Sequence, residues 1–202
     1  MQTQKGENVA VCGVKGNFDD TQTAVKTIFT DADIREKLSE NGKRFSSANS
    51  INVGRLLPQV VYYISAYADL VAKGEISEGE TVNVTVPTGN FGNILAAYYA
   101  KQMGVPFGKL ICASNANNVL TDFLSTGEYS VNRDFYMTES PSMDILVSSN
   151  LERLLYFVAG HEKTIAYMKA LNETGRYEVD AETLGALQAE FCGYYADEAQ
   201  TA

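Results

Sequence analysis

The sequence predicts an α/β fold built on a mostly parallel sheet flanked by helices, and three observations carry that prediction. Between Thr81 and Ser125, apolar strand and helix patterns alternate as β-α-β-α. A pair of glycines, Gly89 and Gly92, sits where the first of these strands gives way to a helix. With 202 residues and 45% hydrophobic side chains, the chain can bury the core of one domain or two small lobes.

The elements follow in order. Asn8 to Val14, with Val9, Val11 and Val14, reads as a short strand, then a turn at Gly16 to Asp20 and a helix carrying Ala24, Val25, Ile28 and Phe29. Asn17 or Asp19 suits its N-cap. A second helix spans Ala32 to Ser39 and stops at Asn41-Gly42. Leu56, Val60, Val61, Ile64, Tyr67, Ala68 and Val71 keep helical spacing, with Pro58 opening or kinking that helix. Gly74 to Gly79 is a connector rich in glycine and glutamate, and the expected boundary between lobes. A strand at Thr81 to Val86, a helix at Asn93 to Met103, a strand at Lys109 to Ala113 and a helix at Asn118 to Ser125 form the parallel series. Gly127 to Pro141 reads as a polar loop, and from Ser149 onward the pattern is helical, with breaks at Gly160, at Asn172 to Gly175 and past Phe191. The expected organisation is therefore a smaller α/β lobe over 1–74, a sheet-bearing lobe over 75–158 and a helical extension over 159–202.

Composition removes several function classes. Lys and Arg total 16 against 25 Asp and Glu, a formal charge of −9, so no basic field draws a nucleic acid. No apolar run reaches the roughly 18 residues of a membrane span, and the polar start lacks a signal-peptide pattern, so a cytoplasmic protein without a membrane partner is expected. Cys12, Cys112 and Cys192 lie far apart, without the spacing of a zinc ribbon or disulfide framework, and read as small buried apolar residues. The single histidine, His161, reads as a surface helix start, and no metal site is expected.

Two segments carry chemistry. Thr88-Gly89-Asn90-Phe91-Gly92-Asn93 lies between a strand and a helix, where two glycines three apart permit a tight turn whose N–H groups face one spot at the positive end of the helix dipole. That arrangement suits a phosphate dianion; equally, such loops serve the turn alone. It has neither the Gly-Lys-Ser/Thr of a P-loop nor dinucleotide spacing. Ser46 to Arg55 is the second. A helix starting near Ser50 places Asn52 and Arg55 three apart on one face, an arginine fork beside neutral donors fit for another phosphate, or else a capped helix with a solvated arginine.

Together these segments resemble one family. Gly16-Asn17-Phe18-Asp19-Asp20-x-Gln22, Ser50-Ile51-Asn52-x-x-Arg55-x-x-Pro58-Gln59, Pro87-Thr88-Gly89-Asn90-Phe91-Gly92-Asn93 and Pro141-Ser142-Met143-Asp144-Ile145-Leu146-Val147-Ser148-Ser149-Asn150-x-Glu152-Arg153 are similar to threonine synthases of the bacterial and fungal type, over roughly residues 8–158. The resemblance implies part of a fold-type-II pyridoxal-phosphate architecture, as in the tryptophan synthase β family. The implied complete enzyme is a carbon–oxygen lyase of threonine biosynthesis that converts O-phosphohomoserine and water to threonine and phosphate. It implies that Gly89, Asn90, Phe91, Gly92 and Asn93 hold the cofactor phosphate, and that Ser50, Asn52 and Arg55 meet the substrate phosphate.

The pattern departs from the family in one respect. Its Schiff-base lysine comes from a Phe-Lys-Asp segment, and none of the ten lysines here is followed by aspartate. The expectation is a central part of the enzyme, with no catalytic residue of its own and inactive alone. Two alternatives stay open: a related phospholyase acting on another amino-alcohol phosphate, and a non-catalytic phosphate- or nucleotide-binding module.

Overall fold

The computed structural model describes residues 6–16, 18–47, 50 and 52–201, the side chains of 18 and 19 excepted. The chain divides into two compact units, residues 1–45 and 46–202. The first holds α1 (Phe18–Thr30) and α2 (Ala32–Glu40). Asp31 caps α2 by accepting from the Ile34 N–H at 2.9 Å, and the rings of Phe29 and Phe45 stack at 4.8 Å. The expected strand over Asn8–Val14 does not form. Only an isolated bridge joins Gly6 and Val9, and Val9, Val11 and Val14 are exposed, because an apolar run without a partner strand satisfies neither its backbone nor its side chains. Asn17, one of the two expected caps of α1, lies outside the described residues, as does the side chain of Asp19, the other.

The second unit opens with α3 (Val53–Leu56), a 3-10 turn over Leu57–Gln59 and α4 (Val60–Ala72). One apolar pattern thus becomes two helices, with Pro58 in the tighter turn, where its missing N–H costs nothing. Gly74–Gly79 lies inside this unit as a turn pinned by Tyr67, whose hydroxyl accepts from the Gly79 N–H and donates to the Glu80 carbonyl, both at 3.0 Å. The sheet follows: β1 (Val82–Pro87), α5 (Gly92–Gln102), β2 (Phe107–Ser114) and α6 (Val119–Thr126). β1 and β2 pair in parallel, Val84 with Leu110 through Pro87 with Ala113. Ile94, Leu95, Ala96, Ala97 and Ala100 are all buried, so α5 is apolar nearly all round, the signature of a helix inside the core.

Beyond α6 the fold departs from the sequence reading. The polar loop after Gly127 contains β3 (Glu128–Ser130), and the stretch after α7 (Leu151–Ala159) and α8 (His161–Thr174) is not wholly helical. β4 (Arg176–Glu178) pairs antiparallel with β3, with Tyr129 stacked on Tyr177 at 5.2 Å. After α9 (Ala181–Glu190), β5 (Phe191–Tyr195) pairs in parallel with β2, giving the order β1-β2-β5, and α10 (Glu198–Thr201) ends the described chain. Five aromatic-rich residues around Gly193 carry too little period to announce a strand; the open edge of β2 supplies the partner that makes one. Cys112 is buried as expected, whereas Cys12 is exposed.

Candidate anion site at the strand-to-helix loop

The glycine loop leaves the C-terminal end of β1 and enters α5, the end of a parallel strand where ligand sites gather. The Thr88 N–H donates to the Ala113 carbonyl at 2.8 Å, so β1 stays attached to β2 up to the first loop residue. Phe91, at φ 63° and ψ −1°, is the N-cap residue of α5 and the one non-glycine with positive φ among the described residues. That left-handed turn carries strain of about 1–3 kcal/mol. The ring offsets it, being 1% exposed and tilted against Phe191 at 5.6 Å between centroids.

Turning there leaves amides unspent. Among the described residues no acceptor takes the N–H of Gly89, Phe91, Gly92 or Asn93. α5 has no side-chain cap, so its N-terminal dipole is not neutralised from within. Gly92 must be glycine for a reason other than torsion: a Cβ there would lie 2.6 Å from Ser50 Oγ and 2.7 Å from Ser50 Cβ. Gly89 is equally confined, its hypothetical Cβ 2.9 Å from the Ser142 carbonyl oxygen.

The loop's carbonyl side is held by the segment before α7. Ser148 Oγ donates to the Gly89 carbonyl at 3.0 Å, and the Asn90 carbonyl accepts from the Asn150 N–H at 3.1 Å and from Asn150 Nδ2 at 2.9 Å. These contacts occupy the Gly89 and Asn90 carbonyls, while the amides of Gly89, Phe91, Gly92 and Asn93 have no acceptor among the described residues. Asn150 Nδ2 also lies 3.1 Å from Ser50 Oγ, and Arg153 donates to the Ser50 carbonyl at 2.8 Å and to Asn150 Oδ1. Asn93 Oδ1 accepts from the Tyr63 hydroxyl, and burial pushes that phenol up to about 12, so it remains a donor at neutral pH.

Of the two segments expected to meet phosphate, the structure therefore joins Ser50 to the glycine loop. Asn52 is engaged otherwise: it is the N-cap of α3, its Oδ1 accepting from the Gly54 N–H at 2.9 Å and its Nδ2 donating to the Ser47 carbonyl at 3.0 Å. Arg55 is exposed on the short helix that follows. Asn150, Arg153 and Tyr63 were given no role by the sequence reading. The first two stood within a quoted motif, but their contacts with Ser50 span about a hundred residues and leave no local pattern.

No protein-family model matches the sequence. The fold resembles the crystal structure of a PLP-bound threonine synthase from Brucella melitensis, with a TM-score of 0.78 and 40% identity over 93% of this chain and 38% of that one. In sequence, too, the chain is similar to threonine synthases over nearly its whole length. It is 36% identical over 202 residues to the threonine synthase of Saccharomyces cerevisiae, covering 95% of this chain and 38% of the relative. It is 50% identical over 198 residues to threonine synthase-like 1 of Homo sapiens, covering 96% of this chain and 27% of the relative. The chain thus spans between about a quarter and two fifths of the length of the threonine synthases and threonine-synthase-like proteins it matches. The mixed α/β architecture with its parallel sheet is the threonine synthase fold in part.

Proposed function

We propose that this chain is the phosphate-anchoring part of a pyridoxal-phosphate enzyme of the threonine synthase kind. One observation carries the reading: four consecutive-region amides without acceptors, at Gly89, Phe91, Gly92 and Asn93, stand at the start of a buried helix where a Cβ on Gly92 would meet Ser50. A phosphate dianion is the ligand such a cradle suits, since charge-assisted bonds to backbone N–H groups cost no side-chain ordering. The residues present fit the cofactor's phosphate. When bound, pyridoxal phosphate supplies the electron sink for carbanion chemistry.

This chain's residues perform the binding around that chemistry. Gly89 to Asn93 donate to the phosphate, Ser148 and Asn150 hold the loop carbonyls away from it, and Tyr63 fixes the Asn93 side chain. Ser50 and Arg55 serve the leaving phosphate of the substrate, and Asn52 caps the short helix that carries Arg55. The whole protein would then act on O-phosphohomoserine, the bond-making lysine coming from outside these residues. A second reading is a phospholyase for another amino-alcohol phosphate, which residues that meet only the phosphate groups would serve equally.

Three measurements test this. Pyridoxal phosphate should bind the chain with a dissociation constant on the order of millimolar, and Gly92→Val should abolish that binding; equal binding by the variant sinks the anchor. Phosphate release by the complete protein from O-phosphohomoserine, set against other amino-alcohol phosphates, separates the two substrates. Borohydride reduction after incubation should label no single lysine stoichiometrically, and such labelling would place a complete site within these residues.

A further inference from the structure

We propose that Asp144 is the positioning residue of this site: a buried carboxylate that holds the segment 138–148 where its Ser142 carbonyl and Ser148 hydroxyl fix Gly89. The carboxylate is almost wholly buried, and no salt bridge reaches it among the described residues. Four neutral donors surround it instead. Oδ1 accepts from Thr138 Oγ1 at 2.6 Å, from Asn115 Nδ2 at 2.7 Å and from Asn117 Nδ2 at 3.1 Å, while Oδ2 accepts from the Thr138 N–H at 2.9 Å. A buried charge without a cation is tolerated only when its ring of donors is complete.

The ring has a direction. Asn115 and Asn117 follow β2 directly, beyond Ser114, so they are part of the rigid sheet edge. Asn117 is itself oriented by the side-chain amide oxygen of Asn115, which accepts from its N–H, and by the backbone of Tyr136. Thr138 and Asp144 belong to the long segment between β3 and α7, which has little regular structure of its own. The carboxylate thus ties a mostly irregular segment to the end of the central strand. Four residues along from Asp144, Ser148 donates to Gly89; two residues before it, Ser142 closes over the place where a Gly89 side chain would be. Only a carboxylate meets the demand, because every partner donates. The isosteric amide would turn an NH2 group toward at least one donor.

The last link, from a held Gly89 to phosphate affinity, rests on the reading of the glycine loop as a phosphate site; the positioning itself does not. The test uses the 202-residue chain, labelled with nitrogen-15, in Asp144→Asn and the milder Thr138→Val. Amide exchange is read at Ser148, whose N–H is bonded to the Tyr129 hydroxyl, at Asn150, bonded to the Asn90 carbonyl, and at Met168 on α8 as a distant control. Both variants should speed exchange at Ser148 and Asn150 by about tenfold or more, with the control unchanged. Inorganic phosphate, followed at the Gly89 and Gly92 amides, should then bind the variants more weakly. Unchanged exchange at Asn150 overturns the proposal, and so does equal acceleration at the control, which would make Asp144 a general stabiliser. If the unmodified chain shows no phosphate shifts, the phosphate reading fails while exchange still decides the role of Asp144.

Discussion

At the scale of single residues, Phe91 and Gly92 divide two tasks usually given to one glycine. Phe91 takes the left-handed torsion and Gly92 the close approach. The balance at Phe91 follows from magnitudes: strain of about 1–3 kcal/mol is matched by burial of a phenyl ring, worth about 1.5–3 kcal/mol, and by its aromatic neighbour. At Gly92 no such exchange is open. Gly92→Ala should destabilise the chain by about 1–3 kcal/mol through overpacking against Ser50, seen as a lower midpoint in urea. Ser50→Gly in the same chain should restore most of the loss, since it removes both near atoms. A single variant as stable as the parent would mean that Ser50 moves aside freely.

At the scale of elements, α8 and α9 are joined through one carboxylate. Asp180 caps α9 by accepting from the Thr183 N–H at 2.9 Å, and its other oxygen meets the Tyr167 hydroxyl and Lys163 Nζ, each at 2.9 Å. The backbone bond from Thr183, then the Lys163 ammonium, hold this carboxyl well below the usual carboxylate range. A depressed folded-state pKa gives stability that is present above the unfolded value, about 3.9, and lost as pH falls toward the folded one. Asp180→Ala should therefore lower the melting temperature at neutral pH, and the gap to the parent should close progressively in acid. A gap independent of pH would show that the side chain acts through packing alone. The sequence reading gave Asp180 no role, and its partners on α8 leave no local pattern that would have announced one.

At the scale of the whole molecule, the division into compact units falls between Phe45 and Ser46, whereas the sequence reading expects the break between lobes at Gly74–Gly79. Trypsin distinguishes the two, because exposed Lys43 and Arg44 flank the first position and exposed Lys73 the second. Cleavage after Lys43 or Arg44 should come first and leave a resistant product beginning at Arg44 or Phe45, since the Gly74–Gly79 turn is pinned by Tyr67 and by the Glu80 carboxylate on the Ser77 N–H. Prior cleavage after Lys73 would support lobes that separate there.

The sequence alone determined what depends on neighbours along the chain. The strand-loop-helix around Gly89, the second strand and the helix beginning near Val119 follow from periodicity, and the family from the wording of four motifs. Tertiary structure decided what depends on residues distant in sequence. Asn8 to Val14 had the pattern of a strand but no partner; Phe191 to Tyr195 had almost no pattern but lay against the open edge of β2. Asn52 was drawn into its own helix cap rather than toward the glycine loop, whereas Ser50, Asn150 and Arg153 converged from a hundred residues apart. The physical reason is the same in each case: local periodicity sets what a segment offers, and the pairing of its hydrogen-bonding groups and surfaces is settled only by what folding brings beside it.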